Sequence, residues 1–324
     1  MSKIKIAFTD FWAGFEPETQ WFYPLIAKEF DTCLVSPQEE PDILFYSCSG
    51  TQHLNSNAQI RIYFTGENDI PNFNLCDYAI SFHNLIFGNR HLRLPLYAMY
   101  PSFDILRTGK RETPSFDRDF CSFVVSNNFC ADTIRMEFYE QLSKYKHIAS
   151  GGRHANNIGG PVKDKHKFLT NYKFNIAFEN SSVHGYTTEK LADALAAATL
   201  PIYWGNPDVN LDFAENCFID ISKFKTIGEA IEFIEKVDND ESLYMSYFQN
   251  SPLQVNQYLN WEEIFINFIR NIVITKHKYM ITSGIGNILL EQSKIKEQLF
   301  KFGFLKNHIE LLEKMSKIKN SLFH

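Results

Sequence analysis

The densest group of side chains able to do chemistry lies between Tyr172 and Pro207. An apolar run over 172–178 leads into a polar loop, 179–188, and then into a helical pattern over 188–198. A strand that feeds a helix N-terminus leaves free backbone N–H groups there, and these together with the helix dipole favour phosphate. The sequence therefore predicts a phosphate site in this loop, with a solvated first helical turn as the alternative.

Glu189 and Lys190 fall in the first turn of that predicted helix. An acidic residue is ordinary at a helix N-terminus, whereas a lysine opposes the dipole and so indicates an external anion. Gly185 and Tyr186, just before them, allow a close backbone approach and add a ring that can pack on a ribose or a sugar.

Alternating strands and helices must position these residues. The first part of the chain predicts one helix, over 18–30. It also predicts five buried strands, over 4–8, 33–35, 43–46, 61–64 and 78–82. The second part predicts another alternating series: strands 120–126, 172–178, 200–204 and 218–220, with helices 131–144, 188–198 and 227–237. This alternation is typical of parallel α/β sheets with helices on both faces.

A charged stretch, 104–119, contains Pro114 and few apolar residues, which favours a domain boundary there. We therefore predict one Rossmann-like domain over 1–115 and a second over 116–275, facing each other across a cleft. Ligands bind at the carboxyl ends of parallel strands, so the cleft is the predicted active site. A C-terminal tail, 276–324, completes the chain.

Three stretches carry a resemblance to a known family: Phe178-Glu179-Asn180-Ser181, Gly185-Tyr186-Thr187-Thr188-Glu189-Lys190 and Pro201-Ile202-Tyr203-Trp204-Gly205-Asn206-Pro207. Together they resemble the donor-binding signature of the α1,3-fucosyltransferases of glycosyltransferase family 10, which include bacterial enzymes that build Lewis-type antigens. The resemblance extends to 63–79, 93–97 and 120–135 and covers residues 1 to about 270. The stretch 98–118 is shorter than in the family, and the tail does not match closely.

The resemblance implies the GT-B fold, with the acceptor bound by the first domain and GDP-fucose by the second. It implies inverting transfer of L-fucose to the 3-hydroxyl of N-acetylglucosamine or glucose. The implied acceptors are lactose, N-acetyllactosamine or a lipopolysaccharide O-chain, giving a Lewis X-type glycan. An α1,4 or mixed linkage, another nucleotide-sugar donor and a catalytically silent sugar-nucleotide-binding protein remain alternatives. A glycosidase would also use paired carboxylates, but would not need cations at the nucleotide positions.

Roles for individual residues follow from the same resemblance. Glu67 matches the catalytic base of the family, with a solvated turn residue as the alternative. Arg135 and Lys190 match the residues that hold the diphosphate, and a guanidinium suits this because it grips phosphate oxygens bidentately. The alternative for Arg135 is an ion pair with Asp132, one turn earlier on the same helix.

Other positions of the donor pocket match Asn180, Tyr186 and Glu189. Glu189 is expected either to bond ribose hydroxyls or to balance charge developing on the fucosyl ring, and the sequence leaves both roles open. Trp12 follows the first predicted strand and is a candidate for stacking on an acceptor sugar, although core packing suits it equally well.

A metal cofactor is not expected. The triplet Asp238-Asn239-Asp240 has the letters of a metal-binding Asp-x-Asp loop, but it follows a predicted helix and is interpreted as a helix-ending turn. Lysine and arginine can stabilise the leaving diphosphate instead. Stimulation by Mn²⁺ or Mg²⁺, as in some family members, stays open.

Composition excludes several function classes. The formal net charge is −6, so nucleic acid is not an expected partner. The six cysteines show no zinc-binding spacing and fit reduced thiols, while the polar N-terminus does not resemble a signal peptide. No run of about 18 apolar residues occurs. We therefore expect a cytoplasmic protein.

The tail has the opposite charge to the rest of the chain. Residues 276–324 hold nine Lys and four Glu. Apolar residues recur every seven positions, at Ile288, Ile295, Phe302 and Ile309, with Leu305 and Leu312 in a second register. This pattern favours a basic amphipathic or coiled-coil helix. Peripheral contact with the inner membrane, a homodimer and a solvated helix remain the three interpretations.

Overall fold

The computed structural model describes residues 3–126, 131–254 and 260–279, together with residues 288, 291, 292 and 295. The strands are β1 (Ile4–Thr9), β2 (Thr32–Leu34), β3 (Ile43–Tyr46), β4 (Ile60–Phe64), β5 (Tyr78–Ser81), β6 (His91–Arg93), β7 (Asp119–Phe123), β8 (Ile148–Ser150), β9 (Tyr172–Phe178), β10 (Leu200–Trp204) and β11 (Ile219–Asp220). The helices are α1 (Phe22–Glu29), α2 (Pro101–Arg107), α3 (Ile134–Leu142), α4 (Lys165–Leu169), α5 (Glu189–Ala196), α6 (Ile227–Asn239), α7 (Glu241–Ser246) and α8 (Trp261–Thr275).

The described residues divide into two compact units. Unit 1 takes its residues from Met1–Ile80, Phe87–Leu92 and Ile266–His324, and unit 2 from Ser81–Ile86 and Arg93–Phe265. These limits differ from the predicted domains of 1–115 and 116–275, because the chain passes between the units more than once. The last passage falls within α8.

Unit 1 contains a six-stranded sheet in the order β2-β1-β3-β4-β5-β6. The pairs β1–β2, β1–β3, β3–β4 and β4–β5 are parallel. Every residue of β3 and β4 is buried, as expected for parallel strands covered on both faces. Helix α1 contributes Phe22 and Ile26 to this core.

Unit 2 contains a five-stranded sheet in the order β11-β10-β9-β7-β8, and all of its pairings are parallel. Helix α5 connects β9 to β10 and buries five of its eight residues. Its alanines permit close packing on those strands, which fixes the start of α5 beside the carboxyl ends of β9 and β10. The prediction of parallel α/β units is confirmed.

Several elements were not predicted. Helix α2 begins inside the stretch 98–118 and overlaps the charged segment that we interpreted as a boundary. Pro101 occupies its first turn, where its missing N–H costs nothing, and Phe103 and Leu106 are buried. The charged residues around α2 concealed this short apolar face. Strands β6 and β8, of three residues each, were also not predicted.

None of the described helices is long and apolar enough to cross a membrane. Of the predicted heptad positions in the tail, Ile288 and Ile295 are helical and exposed. The remaining heptad positions lie outside the described residues.

Candidate active site

Two neighbouring strands of unit 2 end at the candidate site. Strand β9 ends at Phe178 and β10 at Trp204, and the N–H of Glu179 donates to the carbonyl of Trp204 at 2.9 Å. Glu179 therefore stays at the sheet edge, and its side chain is completely buried. From there the loop runs to Thr188, the N-cap of α5.

Glu179 is the centre of the site. Its Oε1 accepts the backbone N–H of Thr188 at 2.7 Å, and its Oε2 accepts the Thr188 hydroxyl at 2.6 Å. The ammonium of Lys190 lies 3.1 Å from the same Oε2 and 2.7 Å from the Thr188 hydroxyl oxygen. A carboxylate at the end of one strand thus holds both the N-cap residue of α5 and the lysine of its first turn.

Sequence reasoning did not select Glu179, although it lies within the matched motif. The available signal was a carboxylate directly after a wholly apolar strand end, nine residues before Thr188. A buried carboxylate needs a cation and hydrogen-bond donors, and Lys190 and Thr188 supply them.

Gly205 makes room for this carboxylate. Its φ of +154° is unusual for a residue with a side chain, and a Cβ there would lie 2.5 Å from Cγ of Glu179. Next to it, the N–H of Asn206 donates to the hydroxyl of Tyr203 at 3.0 Å. The side-chain oxygen of Asn206 accepts the N–H of Gly185 at 2.7 Å. The turn after β10 therefore shapes the loop before α5.

Lys190 and Glu189 form a charged pair at the helix start, 3.9 Å apart. Burial lowers the pKa of Lys190, but the charges of Glu179 and Glu189 outweigh it and raise that pKa well above its usual value. Burial raises the pKa of Glu189, but the charges of Lys190 and Lys165 outweigh it and hold the pKa below its ordinary value. Both groups are charged at neutral pH. Glu179 is thus an internal anion for Lys190. A lysine in the first turn of α5, against the helix dipole, therefore does not by itself require an anionic ligand.

Arg135 and Asn180, both assigned to the donor pocket by the resemblance, contact each other. The guanidinium of Arg135, from α3, donates to Oδ1 of Asn180 at 2.7 Å, and only 1% of Arg135 is exposed. Burial lowers its pKa, and the charge of Glu179 counteracts that effect. The carboxylate of Asp132 accepts the N–H of Ile134 at 3.0 Å and so caps the start of α3. Lys190 thus bonds Glu179 and Arg135 bonds Asn180, so two cations contact adjacent residues of the loop that follows β9.

The ring of Tyr186 does not have the surroundings that we predicted. It is buried and packs on Phe82, with ring centroids 5.0 Å apart, rather than offering a face to a sugar. Gly185, with φ +82°, lies against protein backbone, because a Cβ there would be 2.9 Å from the carbonyl oxygen of Phe82. In this structure Tyr186 and Gly185 stabilise the loop by packing.

Two predicted residues belong to unit 1. Glu67 follows β4 in an exposed turn, where its N–H donates to the Thr65 hydroxyl at 3.0 Å. Trp12 is 45% exposed and packs edge-on against Phe15. An exposed carboxylate and an exposed indole are available to a ligand, and their catalytic and acceptor-binding roles stay predictions.

The Asp-x-Asp triplet is a helix end, as predicted. Asp238 is buried in the last turn of α6, where its carboxylate pairs with Lys146 and Lys173. Asp240 caps α7 by accepting the N–H of Leu243. Within the described ranges, no group of three or more His, Cys, Asp or Glu side chains could hold a metal ion.

Comparison with known proteins identifies the family. A profile for the N-terminal domain of α-(1,3)-fucosyltransferase FucT matches residues 6–100. A profile for the C-terminal part of glycosyltransferase family 10 (fucosyltransferase) matches residues 117–278. The chain belongs to glycosyltransferase family 10. The second match contains Arg135, Glu179 and Lys190.

Two members of family 10 are similar over different shares of this chain. It is 33% identical to the α-(1,3)-fucosyltransferase FucT of Helicobacter pylori, across 77% of this chain and 60% of that enzyme. It is 32% identical to the mouse 4-galactosyl-N-acetylglucosaminide 3-α-L-fucosyltransferase 9, across 47% of this chain and 42% of that protein. The chain thus spans about 60% or less of these relatives.

Solved structures support the same family. An α1,3-fucosyltransferase with GDP-fucose superimposes with a TM-score of 0.73 at 31% identity, covering 86% of this chain and 93% of that one. The same kind of enzyme with GDP gives a TM-score of 0.71 at 30% identity, covering 86% of this chain and 92% of that one. The predicted GT-B class is confirmed by this likeness.

Proposed function

We propose that the protein transfers L-fucose from GDP-fucose to the 3-hydroxyl of N-acetylglucosamine or glucose in lactose- or N-acetyllactosamine-type acceptors. Membership of family 10 and the likeness to a solved α1,3-fucosyltransferase with GDP-fucose support the donor. The observation that carries the proposal is the ion pair of Lys190 with Glu179 at the carboxyl edge of the unit 2 sheet, with Arg135 bonded to the next residue of that loop, Asn180.

In the proposed reaction, the acceptor oxygen attacks the anomeric carbon of fucose. Its proton passes to the carboxylate of Glu67, and the bond from that carbon to the phosphate oxygen breaks with inversion. GDP leaves with the bonding electrons, so negative charge grows on its phosphate. Lys190 and Arg135 stabilise this charge, and Glu179 holds the ammonium of Lys190 in place before the substrate arrives.

The test is release of GDP from GDP-fucose with and without N-acetyllactosamine. We expect release to require the acceptor, and to fall by about 100-fold or more in Glu67→Gln while GDP affinity is kept. Glu40→Gln, an exposed acid of the same unit, is the matched control and should behave as wild type. Wild-type protein that binds GDP but transfers to no type 1 or type 2 disaccharide would refute the acceptor assignment. Failure to bind GDP would refute the donor as well.

The linkage and the acceptor are part of the proposal. An α1,3 linkage is favoured by the names of the relatives, which are 3-fucosyltransferases. NMR of the product formed on a type 2 disaccharide should show fucose on the 3-position of N-acetylglucosamine. A product formed only on type 1 chains, through the 4-position, would favour the α1,4 alternative.

We further propose that protein cations, rather than a bound metal, stabilise the leaving diphosphate. The engagement of Asp238 and Asp240 in helix ends supports this. Transfer should then survive EDTA, with Mn²⁺ or Mg²⁺ adding no more than a modest stimulation. Complete loss of activity in EDTA and its recovery with Mn²⁺ would overturn the proposal.

For the whole protein we propose a cytoplasmic location with the basic tail on the inner membrane. The five described cysteines are free thiols, which suits a reducing compartment. The net positive charge of 276–324 suits an anionic lipid surface. In a flotation experiment, anionic vesicles should carry the protein upward with them. Sedimentation of the protein without vesicles measures its mass and so tests the homodimer separately. A protein that stays unbound to vesicles contradicts the membrane contact.

A further inference from the structure

Unit 1 contains a cavity of about 250 Å³ close to the carboxyl ends of β3 and β4. The residues around it include the aromatic rings Tyr46, His53 and Tyr63 and the polar side chains Asp69 and Asn72. Pockets for drug-sized molecules run to about 300–1,000 Å³, so this one suits a smaller ligand. Nothing in the proposed donor chemistry uses it.

One wall of the cavity rests on a buried Asp–His pair. Oδ2 of Asp10 lies 2.7 Å from Nδ1 of His53 and also accepts the backbone N–H of His53 at 2.9 Å. Oδ1 of Asp10 accepts the N–H of Gln52 at 2.9 Å. Asp10 has a φ of +60°, an unfavourable backbone conformation that these bonds stabilise. Gly50 leaves room for it, because a Cβ there would lie 2.5 Å from Oδ1.

This arrangement leaves one polar atom of His53 for a ligand. The side chain of His53 is only 9% exposed. Nδ1 is held by Asp10, and one ring face stacks on Tyr46 with centroids 4.1 Å apart. An Asp10 carboxylate can only accept, so Nδ1 carries a proton, and in the neutral ring the remaining nitrogen, Nε2, is an acceptor; His53 lines the cavity.

The other lining groups complete a set suited to a neutral sugar. The hydroxyl of Tyr63 donates to the carboxylate of Asp69, which leaves further acceptor capacity on Asp69. The side-chain oxygen of Asn72 accepts from Asn74, which leaves its own amide N–H groups as donors. A small cavity with aromatic walls, two acceptors and one donor matches the ring and hydroxyls of one pyranose.

The cavity adjoins the turn that carries the predicted base. Cys48, which lines the cavity, lies 3.9 Å (Sγ to Oγ1) from Thr65. The Thr65 hydroxyl in turn bonds the backbone N–H of Glu67 at 3.0 Å. Glu67 itself is not among the lining residues, so a sugar in the cavity is not the one that reacts.

We propose that this cavity is a subsite for the neutral pyranose next to the reacting sugar of the acceptor, with Nε2 of His53 and the carboxylate of Asp69 accepting its hydroxyls. The inference rests on the proposed function, because it names the part of the acceptor that unit 1 recognises. His53 is a specificity residue here, and Asp10 is a positioning residue that fixes its ring.

The test compares a disaccharide acceptor with a single sugar. His53→Asn keeps a side-chain N–H for Asp10 and removes Nε2. We expect its KM for N-acetyllactosamine to rise about 3- to 10-fold, the effect of one lost hydrogen bond. The KM for an alkyl glycoside of N-acetylglucosamine alone and the KM for GDP-fucose should stay unchanged. Asp69→Asn, a second variant, should show the same selective rise.

His147→Asn, an exposed histidine of unit 2, is the matched control and should leave all KM values unchanged. An equal rise for disaccharide and monosaccharide, or no rise in either variant, would overturn the subsite. If wild type transfers to no acceptor, the proposed function fails, and saturation-transfer NMR with lactose decides the subsite separately. Signals from the galactose ring of lactose that vanish in His53→Asn support the subsite. Galactose signals that are absent from both proteins, or identical in both, overturn it.

Discussion

At the scale of single residues, the site depends on a carboxylate that is buried and therefore receives no stabilisation of its charge from water. Glu179 is fully buried and accepts from Thr188 and Lys190. Burying a charge is costly unless it is paired and hydrogen-bonded, so each member of the group requires the others. The same pairing keeps Lys190 charged and fixed, which suits the diphosphate binding that we propose for it. Stability and the proposed function are therefore coupled at this pair.

Replacing Lys190 by Met, alone and together with Glu179→Gln, should separate the effect on stability from the effect on GDP binding. The single variant leaves Glu179 buried without its cation, and we expect a loss of about 3–5 kcal/mol in the free energy of unfolding. Glu179→Gln combined with Lys190→Met removes both charges and should recover most of that stability without recovering GDP binding. Urea denaturation and GDP titration measure the two quantities. A double variant as unstable as the single one would contradict this account of the pair.

At the scale of elements, helix α6 of unit 2 is held by a charge in its last turn. Asp238, in the last turn of α6, pairs with Lys173 at the start of β9 and with Lys146 before β8. Burial raises the pKa of Asp238, but the hydrogen bonds from Lys146 and Lys173 outweigh it and leave the pKa below its ordinary value. This contact fixes α6 against the end of the sheet that lies opposite the candidate site.

We expect Asp238→Asn to lose about 3 kcal/mol of stability at pH 7, mostly through Lys173, because Lys146 is well exposed. Since the folded-state pKa of Asp238 is lowered, its contribution is fully present above the unfolded-state value of about 3.9. It is lost as the pH falls toward the folded-state value. Urea denaturation between pH 7 and pH 3 should therefore show the difference between wild type and variant shrinking in acid.

Asp240→Asn is the control for this measurement. Asn caps a helix about as well as Asp, so this neighbouring change should alter stability little at any pH. A loss in Asp238→Asn that is the same at pH 7 and in acid would show that the charge of Asp238 does not carry the effect.

At the scale of the whole molecule, unit 1 is completed by residues far along the chain. Ile269 and Ile272 of α8 are buried, and the N–H of Tyr279 donates to Asp77 at 2.7 Å. The hydroxyl of Tyr78 donates to the carbonyl of His277 at 3.1 Å. The segment from Ile266 to Tyr279 is thus part of unit 1, although it follows unit 2 in sequence.

A chain ending at Phe265 should therefore have a destabilised unit 1. Truncating one buried isoleucine of α8 to alanine costs about 2–5 kcal/mol of stability. Losing both therefore removes a large part of the free energy of unfolding of a typical domain, about 5–15 kcal/mol. Hydrogen exchange should become fast in β3, β4 and β5, while the strands of unit 2 stay protected. A chain ending at Tyr279 is the control and should keep the protection of both units. Equal exchange in the two shortened chains would show that α8 does not stabilise unit 1.

Short-range pattern determined much of the fold. Strands over 43–46, 172–178 and 200–204 were predicted with their observed limits, because wholly apolar runs between polar turns define a buried parallel strand. The loop before α5 and its motif could likewise be located from residue types and spacing. Helix α2 could not be, because its apolar face has only a few residues and lies among charges.

The sequence by itself located the segment that forms the candidate site, since a strand, a polar loop and a helix start follow one another along the chain. Tertiary structure alone decided what those residues contact. Glu179 meets Lys190 only because β9 and α5 pack together, and Tyr186 is buried because Phe82, far away in sequence, covers it. The pairing of Asp10 with His53 arises in the same way, from the parallel packing of β1 against β3. Periodicity reports which face of an element is buried, whereas burial against a particular partner depends on residues distant in the chain.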